Sequence, residues 1–171
     1  MSAQSEEQPP IYLDYNATNP IHEEVVQAMT PYLRTFFGNP SSSHFYGTQT
    51  KKAIEQARKH VASCINANTD EIIFTSGGSE SNNYSITGTV LRELEERGLL
   101  QQASNSSSSK IHIITSAIEH PSVHEVFNFL TKHYPVVKTL LPVDSQGIID
   151  VQALEASIQQ HKQLQQDTVL I

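Results

Sequence analysis

The stretch Glu71-Ile72-Ile73-Phe74-Thr75-Ser76-Gly77-Gly78-Ser79-Glu80-Ser81 decides how the chain is read. Glu71 to Thr75 is rich in β-branched and aromatic side chains and predicts a short strand, which Ser76-Gly77-Gly78 ends. A helix is predicted from about Ser79 to Arg97, with Gly98 as its C-cap. A strand that turns through glycines into a helix is the arrangement an anion needs. The first helical amides have no partner within the helix, and the helix dipole favours negative charge there. Glycine lets the backbone approach the ligand, and Ser79 adds a hydroxyl donor. The same residues would also suit a plain strand-to-helix turn with Ser79 as N-cap. Neither G-x-x-x-x-G-K-S/T nor G-x-G-x-x-G is present, so a nucleoside triphosphate or dinucleotide site is not expected.

Working outward, strand and helix patterns alternate after residue 70. Ile111 to Thr115 reads as a strand, Pro121 to His133 as a helix and Val136 to Leu141 as a strand. Asp150 is placed to cap a helix reaching about His161, and Asp167 to Ile171 begins another strand. Such alternation predicts right-handed βαβ crossovers, hence an α/β fold: a mostly parallel sheet with helices on both faces. Ligands in these sheets bind where strands end and helices begin. Towards the N-terminus, Val25, Val26, Met29, Leu33 and Phe36 keep helical spacing, with Pro31 expected to kink or interrupt it. Gly38 to Ser43 reads as loop. A helix over about Thr48 to Ile65 carries Ile54, Ala57, Val61 and Cys64 on one face, which makes Cys64 a core residue rather than a nucleophile. Residues 1–10 read as a flexible polar lead, and Gln101 to Ser109 as a low-complexity surface loop. An apolar strand with nothing after it is odd for a complete domain, so the chain is expected to be a fragment.

The 171 residues carry 18 acidic and 11 basic side chains, net −7, with 37% hydrophobic residues. That balance argues against nucleic acid or an anionic membrane as the main partner. No apolar run approaches the roughly 18 residues that span a bilayer. A single cysteine and an acidic, non-amphipathic start point to a reducing compartment, the cytoplasm.

Ser116-Ala117-Ile118-Glu119-His120-Pro121 follows the strand over 111–115, at the same sheet edge as the glycine turn. Pro121 suits a first helical turn, leaving His120 at its mouth, where an imidazole could stack on a flat ring. His120 could equally cap its helix, or bind a metal with His124 at i, i+4. H-E-x-x-H and a third ligand are missing, so no metal is expected.

Several stretches in register resemble the class V aminotransferase branch of pyridoxal 5′-phosphate (PLP) enzymes, specifically cysteine desulfurases and selenocysteine lyases. They are Tyr12-Leu13-Asp14-Tyr15-Asn16-Ala17-Thr18, Phe37-Gly38-Asn39-Pro40-Ser41-Ser42-Ser43-His44, Ile73 to Asn83, Ile114-Thr115-Ser116 with Glu119-His120, and Gly147-Ile148-Ile149-Asp150. The resemblance implies that residues 11–171 are the N-terminal part of an aspartate-aminotransferase-like large domain with a mostly parallel seven-stranded sheet. It puts Gly78 and Ser79 on the PLP phosphate and His120 on the pyridine ring with a share in proton transfer. It puts Asn16, Ala17 and Thr18 on the substrate side. It implies sulfur removal from cysteine, giving alanine and an enzyme-bound persulfide that supplies iron–sulfur clusters or other acceptors. Selenocysteine lyase, giving alanine and selenide, is the close alternative. A homodimer in the full-length form and sulfur-acceptor scaffold proteins are the implied partners.

The chain departs from the family at Asn19, where a threonine is usual, and at Ser79, which replaces a threonine but keeps the hydroxyl. The Schiff-base lysine, the acid facing the pyridine nitrogen and the sulfur-accepting cysteine are all expected beyond Ile171. Lys51, Lys52, Lys59, Lys110, Lys132, Lys138 and Lys162 lack the family's lysine context. Two further readings stand beside the enzyme: a non-catalytic fragment or isoform that pairs with a full-length subunit, and a generic phosphate-ligand binder.

Overall fold

The computed structural model describes residues 10–102 and 110–171. The polar lead over 1–10, Pro10 apart, and most of the 101–109 insert lie outside the described residues. The chain forms two compact units that divide at Ile73 and Phe74.

In the first unit, α1 (Glu23–Arg34) runs past Pro31 without interruption, and no residue of it is buried. Pro31 costs the helix one backbone donor, and Thr35 N–H still bonds Pro31 O at 2.8 Å. The second helix, α2 (Phe45–Cys64), starts three residues earlier than the sequence suggests, capped by His44. The 38–43 loop lies directly on its first turn. A Cβ on Gly38 would sit 2.4 Å from the Tyr46 carbonyl carbon, and one on Gly47 2.4 Å from Ser42 O. Thr50 Oγ1 donates to Gly38 O at 2.7 Å across the same junction. Two expectations fail here. Cys64 is exposed rather than core, and its helical neighbours Ile54 and Val61 are also open to solvent. Periodicity marks a face that can be covered, but within this unit only Gly47, Thr50 and Ala62 of α2 are buried. Glu71 does not begin a strand but closes a 3₁₀ turn, Thr69–Glu71, where its carboxylate accepts from Asn68 N–H at 2.6 Å. Residues 72–75 continue outside any strand.

The second unit bears out the α/β expectation. Helix α3 (Gly78–Glu96) is followed by β1 (Ile111–Ser116), α4 (Pro121–His133), β2 (Val136–Leu141), α5 (Val151–Gln163) and β3 (Thr168–Leu170). The strands form a parallel sheet in the order β2-β1-β3, with Ile111 opposite Val136 and Ser116 opposite Leu141. Being central and covered on both faces, β1 is buried over five consecutive residues. Ile111 and Ile113 meet Val90 and Leu94 of α3 and Val126, Phe127 and Leu130 of α4 in one core. The end of α3 is fixed as the sequence predicts. Gly98 is left-handed at φ 67°, its N–H bonds Glu95 O, and Leu99 N–H reaches back to Leu94 O at 2.7 Å. That double closure folds Leu99 onto Leu94 inside the core. Asp150 caps α5, its side chain accepting from Gln152 N–H at 2.8 Å.

The opposite face of β1 carries a buried histidine beside the buried Ile114. His112 is fully buried, with Nδ1 2.8 Å from Thr168 Oγ1 on β3 and Nε2 2.8 Å from Thr139 Oγ1 on β2. Its ring stacks on His161 of α5 at 3.6 Å and 12°. Ser157 donates to Thr139 at 3.1 Å, and His161 Nδ1 lies 2.7 Å from Gln166 Oε1. Every buried side-chain polar atom among the described residues has a partner, so this layer avoids the cost of an orphaned group.

Leu94→Ala should lower stability by about 3 kcal/mol in urea unfolding. Gly98→Ala should cost about 1 kcal/mol, because alanine resists positive φ. Burial, and secondarily the neighbouring His161, push the His112 pKa down from 6.5 to about 4. Between those values the unfolded chain holds a proton that the native chain refuses, so stability is intact above pH 6.5 and drains away on acidification towards pH 4. The full loss should reach at most about 3 kcal/mol, and His112→Gln should flatten it when urea midpoints at about pH 7.5 and about pH 4.5 are compared.

Candidate cofactor site

Two helix amino termini build the site within the second unit. Gly77 is the N-cap of α3, Gly78 its first residue and Ser79 its second. Gly77 is extended, at φ 166° and ψ 177°, a conformation open to any residue. A Cβ on Gly77 or Gly78 would meet nothing within 4 Å. Neither the backbone nor the packing of this unit therefore demands glycine at these positions. The turn is secured from behind. Thr75 Oγ1 pairs with Ser81 Oγ at 2.7 Å and donates to Gly77 O at 3.2 Å. The Glu80 carboxylate accepts from Ser76 Oγ and Ser76 N–H, both at 2.6 Å, and those bonds, the side-chain one first, hold its pKa below the ordinary value. The opening amides of α3, at Gly78, Ser79 and Glu80, have no carbonyl one helical turn behind them.

His120 is the N-cap of α4, and Pro121 is the first helical residue. Ser122 N–H donates to His120 Nδ1 at 3.1 Å, and Ser122 Oγ stands 2.8 Å from the same nitrogen. A nitrogen that accepts carries no proton, so the neutral ring holds its proton on Nε2 and keeps one outward donor. Capping thus uses one edge of the ring and leaves the other free. Asn82 Nδ2, on α3, donates to Ser122 Oγ at 2.9 Å and ties the two helix ends together.

Ser79 and His120 line one open cleft of about 400 Å³, together with Asn83, Pro121, Ser122, Glu125 and Val126. No lysine or arginine lines it and the Glu125 carboxylate does, so a phosphate's charge would be met by helix amides, hydroxyls and the His120 Nε2–H. The donor set and the uncovered backbone at Gly77 and Gly78 fit a phosphorylated ligand. A second hollow, about 260 Å³ and mostly apolar, opens at the C-terminal strand ends among Ile86, Thr115, Leu141 and Leu170. At its rim Ser116 donates to Glu119 at 3.0 Å. Asn16, Ala17 and Thr18 lie in the first unit, in a turn where Ala17 and Thr18 N–H both reach Asp14 O. Among the described residues no three His, Cys, Asp or Glu side chains gather to hold a metal ion, and no helix is long and apolar enough to cross a membrane.

Sequence reasoning missed Asn82, Asn83 and Ser122. The signal was present: Ser79, Asn82 and Asn83 share an i, i+3, i+4 face of α3, and Ser122 stands two residues after His120.

The family model described as Aminotransferase class-V matches residues 11–166. The chain is 45% identical over 161 residues to "Cysteine desulfurase IscS" of Dictyoglomus turgidum, covering 94% of this chain and 36% of that one. It is 45% identical over 150 residues to "Cysteine desulfurase, mitochondrial" of Arthroderma benhamiae, covering 87% of this chain and 27% of that one. Among solved structures, a "NIFS-LIKE PROTEIN" superimposes with TM-score 0.67 at 33% identity, over 82% of this chain and 35% of that one. The apo cysteine desulfurase of Thermococcus onnurineus gives 0.69 at 26% identity, over 86% and 34%. The chain spans between about a quarter and a third of the length of these relatives.

Proposed function

This chain belongs to the class-V aminotransferase family, whose members work with pyridoxal 5′-phosphate, and we propose that it is the cofactor-phosphate and ring-covering part of a cysteine desulfurase. The observation that carries the reading is the meeting of Ser79 and His120 on one cleft, beside two glycines that the chain's own packing leaves uncovered. The names of the relatives at 45% identity supply the reaction.

In this reading Gly78 and Ser79 hold the cofactor's phosphate through their amides and the Ser79 hydroxyl, at the positive end of α3. His120 covers the ring and keeps the Nε2 proton available to it, its other nitrogen being engaged by Ser122. When bound, PLP supplies an electron sink for bond cleavage at the amino-acid substrate. The substrate is L-cysteine, its sulfur passes to an enzyme thiol as a persulfide, and alanine leaves. No lysine lines the cleft, so the lysine that carries the cofactor comes from elsewhere in the protein, and residues 10–171 alone bind without turning over. Residues 11–171 are then the N-terminal part of the large domain, Asn16 to Thr18 face the substrate, the full protein is a cytoplasmic homodimer, and an iron–sulfur scaffold accepts its sulfur.

Binding tests the reading without catalysis. Pyridoxamine 5′-phosphate, which has no aldehyde to react with surface lysines, is titrated into the chain by calorimetry. Gly78→Ala should weaken it about 10-fold or more by obstructing the phosphate, as expected for a lost charge-assisted contact. The unliganded chain should be as stable or slightly more so, since alanine suits a helix better than glycine. His120→Ala should weaken binding about 3- to 10-fold, the worth of a ring stack. Unchanged affinity in both variants would refute the assignment, while loss with Gly78→Ala alone would leave only a generic phosphate binder.

A further inference from the structure

We propose that Asn82 and Ser122 are positioning residues that hold the orientation of the His120 ring over the cleft. The proposal rests on the reading of His120 as the group that covers a bound ring. Asn82 Nδ2 donates to Ser122 Oγ at 2.9 Å, and Ser122 Oγ lies 2.8 Å from His120 Nδ1. An oxygen that already accepts from Asn82 is free to send its own proton to the imidazole. The chain of donors therefore runs one way, from amide to hydroxyl to Nδ1, and the ring proton is held on Nε2.

Neither side chain is needed where it stands for its helix alone. The backbone N–H of Ser122 makes the cap to His120 by itself at 3.1 Å, so the hydroxyl is an addition to the cap. Asn82 is an interior residue of α3, a position that asparagine disfavours, and its amide is turned across to α4. The contact is part-buried and joins residues 40 apart in sequence. It ties the His120 ring to the same helix that carries Ser79, so the two walls of the cleft keep one spacing.

The direction of the relay is testable by reversing it. Asn82→Asp is nearly isosteric but can only accept, so it should draw the Ser122 hydroxyl proton away from His120. Ser122→Ala removes the hydroxyl, and Ser122→Thr keeps it. The ring nitrogens of His120 are read by ¹⁵N NMR in the ligand-free chain, and affinity by pyridoxamine 5′-phosphate titration. In Asn82→Asp and Ser122→Ala the Nδ1 resonance should move downfield, because one of its two donors is lost while the Ser122 N–H remains. Affinity should fall about 3- to 10-fold, the worth of one hydrogen bond. Ser122→Thr should keep both values. An unmoved Nδ1 resonance in both variants overturns the proposal. So does unchanged affinity in both while His120→Ala weakens binding. If His120→Ala itself leaves affinity intact, the ring-covering reading fails instead, and the resonances alone then decide whether Asn82 and Ser122 hold the ring.

Discussion

Parallel pairing is the constraint from which the site follows. Because β1 runs the same way as β2 and β3, each strand leaves the sheet at the same edge and its following helix begins there. The α4 amino terminus, with His120, is delivered to that edge by β1 itself. The α3 amino terminus is held beside it because Val90 and Leu94 share a core with Phe127 and Leu130. Remove that shared apolar seam and Asn82 no longer reaches Ser122, whatever the local sequence of either turn.

The sheet also shows how one strand serves two unlike environments. Alternation sends Ile111 and Ile113 into the hydrocarbon core and His112 into the layer under α5. The polar layer is tolerable because both ring nitrogens of His112 find hydroxyls and His161 lies flat against it. Burial makes a charge on His112 unwelcome, and the layer holds its ring neutral.

What was legible in the sequence was mostly local chemistry. Gly98 ends α3 because only glycine takes a left-handed φ cheaply, and Asp150 caps α5 because a short carboxylate reaches the second amide. Both follow from a few adjacent residues. The β-branched residues Ile111, Ile113, Ile114 and Thr115 marked β1 as a strand. What failed depended on distant partners. Glu71 to Thr75 has strand composition, but a strand needs a ladder, and Glu71 is instead drawn into a turn by Asn68. Cys64 has core periodicity, but its unit buries little of that face. The pairing of Asn82 with Ser122 and the stack of His112 on His161 join residues 40 and 49 apart, which no window of local sequence brings together.

The three-stranded sheet ends on two unlike borders. On one side β2 is six residues long, with Leu140 half exposed, and Lys138 sits at its middle. A charge there discourages another chain from extending the ladder. On the other side β3 is only three residues long and its pairing with β1 slips by one position. With so short a ladder to hold it, β3 is the strand whose amides should exchange with solvent soonest.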